Sequence, residues 1–125
     1  MTSTVTDRLQ GLAAGIGIKA PCVVASTANL TLESTQVIDG IAVSSSQRVL
    51  VKNQSTTTEN GIYTVASSTW ERALDFDGAR DGVPGTMVYV DRGTANGAKL
   101  FVLNSSSTAA TVTVGTDSIT WTSIL

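Results

Sequence analysis

Short apolar runs separated by turn-forming residues recur from Pro21 to the end of the chain, and this spacing constrains the fold more than any other feature. Apolar and polar residues alternate most clearly in Arg48–Lys52 and in Ile62–Val65, as expected of half-buried strands. Strands that arrive about every 8–12 residues are typical of a sandwich or a small barrel. The candidate strands are Cys22–Ala25, Asn29–Leu32, Gln36–Ile38, Arg48–Lys52, Gly61–Ala66, Trp70–Ala73, Met87–Val90, Lys99–Leu103, Thr111–Val114 and Ser118–Thr122.

The composition favours the same fold class. The chain holds 19 threonines, 14 serines and 11 glycines among 125 residues, and only 14% of its residues are charged, against about 25% in ordinary globular chains. Such a composition suits strands and turns better than helices. We therefore predict a single all-β domain over residues 21–125, a small sandwich or barrel of short, mostly antiparallel strands.

Turn signals predict two hairpins. The first joins the two clearest strands through the polar loop Asn53–Asn60, which the pair Asn60-Gly61 closes. Asn-Gly pairs tolerate positive φ angles and therefore favour turns. The second hairpin is predicted to join Thr111–Val114 to Ser118–Thr122.

Residues 1–20 differ from the rest and are predicted to form an extended or short-helical N-terminal arm. Apolar residues at Leu9, Leu12, Ala13 and Ile16 have the spacing of one helical face, and Asp7 could cap it. Three glycines in this stretch each weaken a helix by about 1 kcal/mol, so we expect the arm to become ordered against a partner. The alternative is a first turn docked on its own domain.

Charge and residue usage exclude several functional classes. The net charge is −2 and no basic run exists, so nucleic acid is not an expected partner. The chain has no histidine and one cysteine, Cys22, which excludes Ser-His-Asp triads, imidazole metal sites and an internal disulfide. No stretch approaches the roughly 18 apolar residues of a membrane span, and no signal sequence is recognisable.

The acidic segment from Asp75 to Gly82 is the best candidate for chemistry. Asp75, Asp77 and Asp81 could supply oxygen ligands to calcium, but the twelfth position of a calcium loop starting at Asp75 is Thr86 rather than glutamate. Arg72 and Arg80 lie close to these carboxylates in the sequence and would pair with them. We therefore favour an acidic turn held by arginine over a metal site, and expect neither a metal nor a cofactor.

Catalysis and sugar binding are the remaining chemical alternatives. A carboxylate pair drawn from Glu59, Glu71, Asp75 and Asp77 could hydrolyse glycosides without histidine, although each of these residues adjoins a turn signal or an arginine. Trp70 and Trp121 could stack on sugar, but packing in a thin β core is the more common role. Cys22 follows Pro21 in an apolar run, which favours a buried, inert thiol over a nucleophile.

One set of motifs goes beyond composition. The stretch RVLVKNQ at residues 48–54, ENGIYTV at 59–65, WERA at 70–73 and DFD at 75–77 resembles a module of tail-fibre and related virion proteins of tailed bacteriophages. The flanking segments ASTANLTL at 25–32, IDG at 38–40, GTMVYV at 85–90 and GTAN at 93–96 fit its spacing, as does the closing VGT at 114–116 with ITW at 119–121. The resemblance covers roughly residues 19–123.

We expect the motif residues to hold the fold rather than to catalyse. Asn60 and Gly61 would supply side-chain hydrogen bonds and turn geometry to the loop. Trp70 would cap the core, and Arg72 would bind the turn at Asp75 and Asp77. No catalytic residue is predicted.

The resemblance implies a non-enzymatic structural protein of the virion, assembled in the host cytoplasm. Family modules often begin a longer fibre chain, whereas this sequence runs only from Met1 to Leu125. A capsid decoration or cement protein is therefore the leading expectation, a short tail-fibre or tail-adaptor component is the alternative, and a carbohydrate-binding module or small glycan hydrolase is the alternative of another class.

The expected partners are the major capsid protein or tail proteins and further copies of the chain. By resemblance the copies would form a trimer, and neither nucleic acid nor a membrane is an expected partner. The arm, Thr6 to Ala20, would cross a neighbouring subunit or the capsid surface. Its predicted particle-binding residues are Leu9, Leu12, Ile16 and Ile18.

Overall fold

The computed structural model describes residues 17–78, 81–104 and 112–124. Within these ranges the chain forms nine short strands and one turn of 3-10 helix, which confirms the all-β prediction. The strands are β1 (Val24–Ala25), β2 (Val37–Ile38), β3 (Ile41–Ala42), β4 (Arg48–Val51), β5 (Gly61–Thr64), β6 (Glu71–Arg72), β7 (Met87–Val90), β8 (Lys99–Asn104) and β9 (Thr120–Ser123), and the 3-10 helix is Thr57–Glu59. The predicted arm up to residue 16 lies outside the described residues.

A four-stranded sheet in the order β1-β4-β5-β6 contains the predicted first hairpin. Strands β4 and β5 are antiparallel, with Arg48 opposite Thr64 and Val51 opposite Gly61. Strand β1 adds to β4 in parallel, with Val24 opposite Val49. The predicted pairing of β4 with β5 is therefore confirmed, whereas β4 is buried on both faces rather than half-buried as expected.

A three-stranded antiparallel sheet has the order β7-β8-β9. Its last strand pairs with β8, with Leu103 opposite Trp121, so the predicted second hairpin is wrong. Val112 instead forms a bridge with Gly82. The Asp117 carboxylate accepts a hydrogen bond from the Thr113 amide at 2.8 Å, which closes a tight turn before β9.

Residues 17–26 join the two sheets. Ile18 and Cys22 form parallel bridges with Met87 and Val90 of β7, and the chain then continues into β1 beside β4. The described part of the predicted arm, residues 17–20, is therefore hydrogen-bonded to the domain.

Two apolar clusters lie on opposite faces of the four-stranded sheet. Successive residues of a strand point to opposite faces, so Leu50 enters the cluster between the two sheets while Val49 and Val51 enter the other. The second cluster lies beneath the β2–β3 hairpin and includes Ile38, Tyr63 and Trp70. Covering both faces explains why β4 is almost continuously apolar.

The segment predicted as a strand at Asn29–Leu32 forms none. The Leu30 amide donates to Gln54 Oε1 at 2.7 Å, and Gln54 Nε2 donates to the Leu30 carbonyl at 3.0 Å. A side-chain amide thus takes the place of a neighbouring strand. The sequence analysis also missed β3.

Candidate functional site

The polar residues of the RVLVKNQ and ENGIY motifs meet at one end of the β4–β5 hairpin. Asn60 is buried, its Oδ1 accepts from the Gln54 amide at 2.9 Å, and its Nδ2 donates to the Ile119 carbonyl at 2.8 Å. Asn60 therefore links the hairpin loop to the segment that enters β9. This supports the role in the fold that its motif predicts.

Gly61 begins β5 where two other side chains leave no space. Its φ angle is +154°, and a Cβ atom there would lie 2.6 Å from an Arg72 guanidinium nitrogen and 3.4 Å from the Phe76 ring. The same guanidinium donates to the carbonyls of Asn60 at 3.0 Å and Thr58 at 2.9 Å. A glycine lets the strand approach this hydrogen-bonded arginine.

Arg72 does not bind the acidic turn, and this prediction is corrected. Arg72 lies opposite Tyr63 in the β5–β6 pair, and its guanidinium carbon lies 5.0 Å from the centre of the Tyr63 ring. The guanidinium thus lies over the Tyr63 ring and is held by the carbonyls of Asn60 and Thr58 rather than by the Asp75 carboxylate.

Arg48 binds Asp75 instead. Its two terminal nitrogens donate to the two Asp75 carboxylate oxygens at 2.9 and 3.1 Å, and one of them also donates to the Ala20 carbonyl at 2.9 Å. Such a two-point arginine–carboxylate pair fixes geometry as well as charge. This pair links β4 to the turn after β6 and to the segment that joins the sheets.

Lys19 also contacts Asp75, and the sequence analysis did not predict this contact. Its side chain is buried, and its Nζ donates to the Asp75 carbonyl at 2.6 Å and lies 5.8 Å from the Phe76 ring centre. Burial lowers the pKa of Lys19, while the negative charges of Asp75 and Asp81 oppose that shift. The available signal was a lone lysine next to an apolar run, which does not identify its distant partner.

The aspartates near turns accept hydrogen bonds from backbone amides. Asp81 Oδ2 accepts from the amides of Asp77 at 2.7 Å and Gly78 at 2.8 Å, so Asp77 holds this turn through its backbone. Partial burial opposes a lower pKa for Asp81, but these amide hydrogen bonds outweigh it and the pKa falls. Asp39 likewise accepts from the amides of Ala95 and Asn96.

These contacts leave the carboxylates poorly placed for metal chemistry. Over residues 17–78, 81–104 and 112–124, no three histidine, cysteine, aspartate or glutamate side chains come together as a metal site. Asp81 Oδ2 already accepts two amide hydrogen bonds, so this oxygen serves the turn.

The tryptophans pack within the protein. Trp70 is buried, and its Nε1 donates to the Ser34 carbonyl at 2.9 Å. Trp121 is half-buried and its ring centre lies 5.5 Å from that of Phe76. The Trp70 ring therefore offers no open face to a sugar.

Cys22 is buried in the joint between the sheets. Burial raises the pKa of the Cys22 thiol from 9.0 to about 12. Because the thiolate is the nucleophile, Cys22 is inert at neutral pH.

Of the predicted particle-binding residues, Leu9, Leu12 and Ile16 lie outside the described residues. Ile18 pairs with Met87, and its side chain is 71% exposed. An apolar side chain is thus presented at the point where residues 1–16 join the domain.

No family model matches the chain, and no curated protein and no solved structure is significantly similar to it. None of the described residues forms a helix that is long and apolar enough to cross a membrane.

Proposed function

We propose that this chain is a non-enzymatic structural protein of a tailed-phage virion, and that it decorates or cements the capsid surface. One observation carries the proposal: the polar side chains of the motifs that resemble phage virion modules bind the protein's own backbone. Asn60, Arg72 and Gln54 together contact six backbone groups of the described chain. Motifs used in this way serve a scaffold, which supports a structural role over a catalytic one.

The state of the carboxylates supports the same role. A glycosidase needs two carboxyl groups facing one open cleft, whereas Asp75 is paired with Arg48 and Asp81 caps a turn. Glu59 and Glu71 are exposed and lie on separate elements. The glycan-hydrolase alternative is therefore less well supported than the structural one.

The proposed attachment uses the N-terminal residues. Gly17 and Lys19 are hydrogen-bonded to Met87 at 2.7 and 2.8 Å, so the chain before Gly17 starts from a fixed point at one edge of β7. We assign particle binding to the apolar residues Leu9, Leu12 and Ile16, which would contact the major capsid protein.

The first test is the copy number of the chain in purified virions, measured by quantitative mass spectrometry against the major capsid protein. Copy numbers comparable to that of the capsid protein are expected. A few copies per particle would favour the tail-fibre or tail-adaptor alternative, and absence from the virion would overturn the proposal.

The second test addresses attachment. Deletion of residues 1–16 retains the Gly17 carbonyl that accepts from Met87, so the domain should keep its melting temperature while binding to heads that lack the protein is lost. The triple variant Leu9→Ser, Leu12→Ser and Ile16→Ser should behave alike. The matched control is Leu74→Ser, which changes an 88% exposed leucine elsewhere. Unchanged binding by the deletion variant would show that the N-terminal residues are not the anchor.

A further inference from the structure

The outward side of the β7–β8–β9 sheet is an apolar surface. Val88 and Phe101 point into the core, so their neighbours along each strand point outward. Met87 lies opposite Val102, and Tyr89 lies opposite Leu100. We call this surface the outer face. Its apolar residues are Ile18, Met87, Tyr89, Leu100, Val102 and Ile124.

Two residues extend the outer face beyond its strands. Ile18 pairs with Met87, and its neighbour Lys19 is buried on the inner side, so Ile18 points outward. The Ile124 amide donates to the Leu100 carbonyl at 2.9 Å, which places Ile124 beside Leu100. Ile18, Tyr89 and Ile124 are 71%, 37% and 54% exposed. They are three of the five large apolar side chains exposed in the described part of the chain.

The outer face carries no charge among the described outward positions of its three strands. Between and beside its apolar residues lie hydroxyls, those of Thr120 and Thr122 in β9. The nearest charged residues after β7 are Asp91 and Arg92, which lie at one end and pair with each other at 3.4 Å. Within the three strands, the described outward positions therefore offer a partner no charged side chain.

From these observations we infer that the outer face binds the same face of a second copy of this chain. A contact across a two-fold axis places a patch against itself, which brings like charges together wherever the patch is charged. An uncharged apolar face meets this condition, and two sheet faces pack well at about 10 Å. The inference concerns the isolated chain and does not depend on the virion role.

The size of the face predicts the strength of the contact. Three short strands offer a few hundred Å², the size of the largest apolar patches on monomers, about 300–600 Å². A stable complex buries about 800 Å² on each partner. The dimer should therefore be weak and should matter where copies are held close together.

The test is sedimentation equilibrium of the full chain at protein concentrations from about 5 µM to about 1 mM, a range chosen to populate both monomer and weak dimer. The wild type should pass from monomer to dimer. Ile124→Glu and Tyr89→Glu each place a charge on the outer face and should weaken dimerisation at least tenfold. The matched controls Leu74→Glu and Val37→Glu make the same change at exposed apolar residues elsewhere, 88% and 67% exposed, and should leave it unchanged.

Three outcomes would overturn the inference: a wild type that stays monomeric throughout, face variants that dimerise normally, or controls that weaken dimerisation equally. A fourth comes from deleting residues 1–16. If the wild type is monomeric and the deletion variant dimerises, the chain's own N-terminal residues occupy the outer face instead. Circular dichroism and thermal melting of each variant show whether it is folded.

Discussion

The two sheets of this protein have similar strands but different surroundings. In the four-stranded sheet, both faces of β4 are buried, because the second sheet covers one face and the β2–β3 hairpin covers the other. In the three-stranded sheet, the inner face is buried while the outer face keeps half-buried or exposed Met87, Tyr89 and Val102. An antiparallel sheet commonly leaves one face to water, but that face is then usually polar. The apolar outer face distinguishes the second sheet, and the proposed contact with a second copy would cover it.

The polar ties follow the same division. Arg48, Asp75 and Lys19 connect the four-stranded sheet to the segment that joins the sheets. The ion pair at the end of β7, between Asp91 and Arg92, is exposed and joins neighbours in sequence. The first sheet and the joint thus form the scaffold, and the second sheet presents a surface.

The first prediction compares the loss of stability when one valine in each sheet is replaced by alanine. Val49→Ala removes buried methyl groups beneath the hairpin and should lower the free energy of unfolding by about 2–3 kcal/mol. Val102→Ala makes the same change on the outer face, where the side chain is only partly buried, and should cost less than about 1 kcal/mol. Urea unfolding of both variants measures the difference. Equal losses would mean that the outer face is covered in the isolated chain.

The second prediction concerns the tie at the joint. Arg48→Met removes the two hydrogen bonds to Asp75 and the one to the Ala20 carbonyl, and should destabilise by about 1.5–3 kcal/mol, the range for bonds to charged groups. The control is Arg92→Met, which breaks the exposed pair with Asp91 and should cost less than about 0.5 kcal/mol. Similar unfolding midpoints for the two variants would contradict the distinction between scaffold and surface.

The sequence could predict contacts between residues that are close along the chain, but not contacts between residues that are far apart in sequence. The hairpin of β4 and β5 and the bounds of β7 could be predicted because each strand is a short apolar run between turn residues, and this signal is local in sequence. The pairing of β9 with β8 could not be predicted in this way, because Trp121 is as compatible with a local hairpin as with Leu103. The strand β8 that pairs with β9 lies more than ten residues earlier in the chain.

The same limit applies to the site residues. Asn60 and Gly61 were predicted because turn chemistry is local, whereas Arg48 and Asp75 are 27 residues apart in sequence and meet only once both sheets have formed. Arg72 was assigned to Asp75 because it is nearer in sequence. Its register opposite Tyr63, which the sequence does not specify, places its guanidinium over the Tyr63 ring.

The third prediction tests the close approach at the start of β5. Gly61→Ala would place a Cβ atom 2.6 Å from the Arg72 guanidinium at a φ angle of +154°, and should destabilise by about 1–2 kcal/mol, within the cost of a strained backbone. Gly17→Ala is the matched control, because no atom lies within 4 Å of its added Cβ, and it should change stability by less than about 0.5 kcal/mol. Thermal melting compares the two, and an unchanged Gly61→Ala melting temperature would show that Arg72 can move aside freely.

The last prediction concerns Cys22, which lies at the joint between the two sheets. Its amide donates to the Tyr89 carbonyl, and its carbonyl accepts from the Asp91 amide. Burial raises the pKa of the Cys22 thiol from 9.0 to about 12, so above pH 9 the unfolded chain releases this proton while the folded chain keeps it. The unfolded state then binds fewer protons, and stability must fall as pH rises, by up to about 1.4 kcal/mol per pH unit between pH 9 and 12.

Comparison with a Cys22→Ala variant isolates the contribution of the thiol. Burial also lowers the pKa of Lys19 and raises that of Tyr63, but both groups titrate equally in this variant and cancel in the comparison. The free energy of unfolding of the wild type should therefore fall more steeply with pH than that of Cys22→Ala, by about 1–2 kcal/mol between pH 9 and 10.5. Parallel slopes would mean that the thiol ionises in the folded protein, and hence that water reaches the joint between the two sheets.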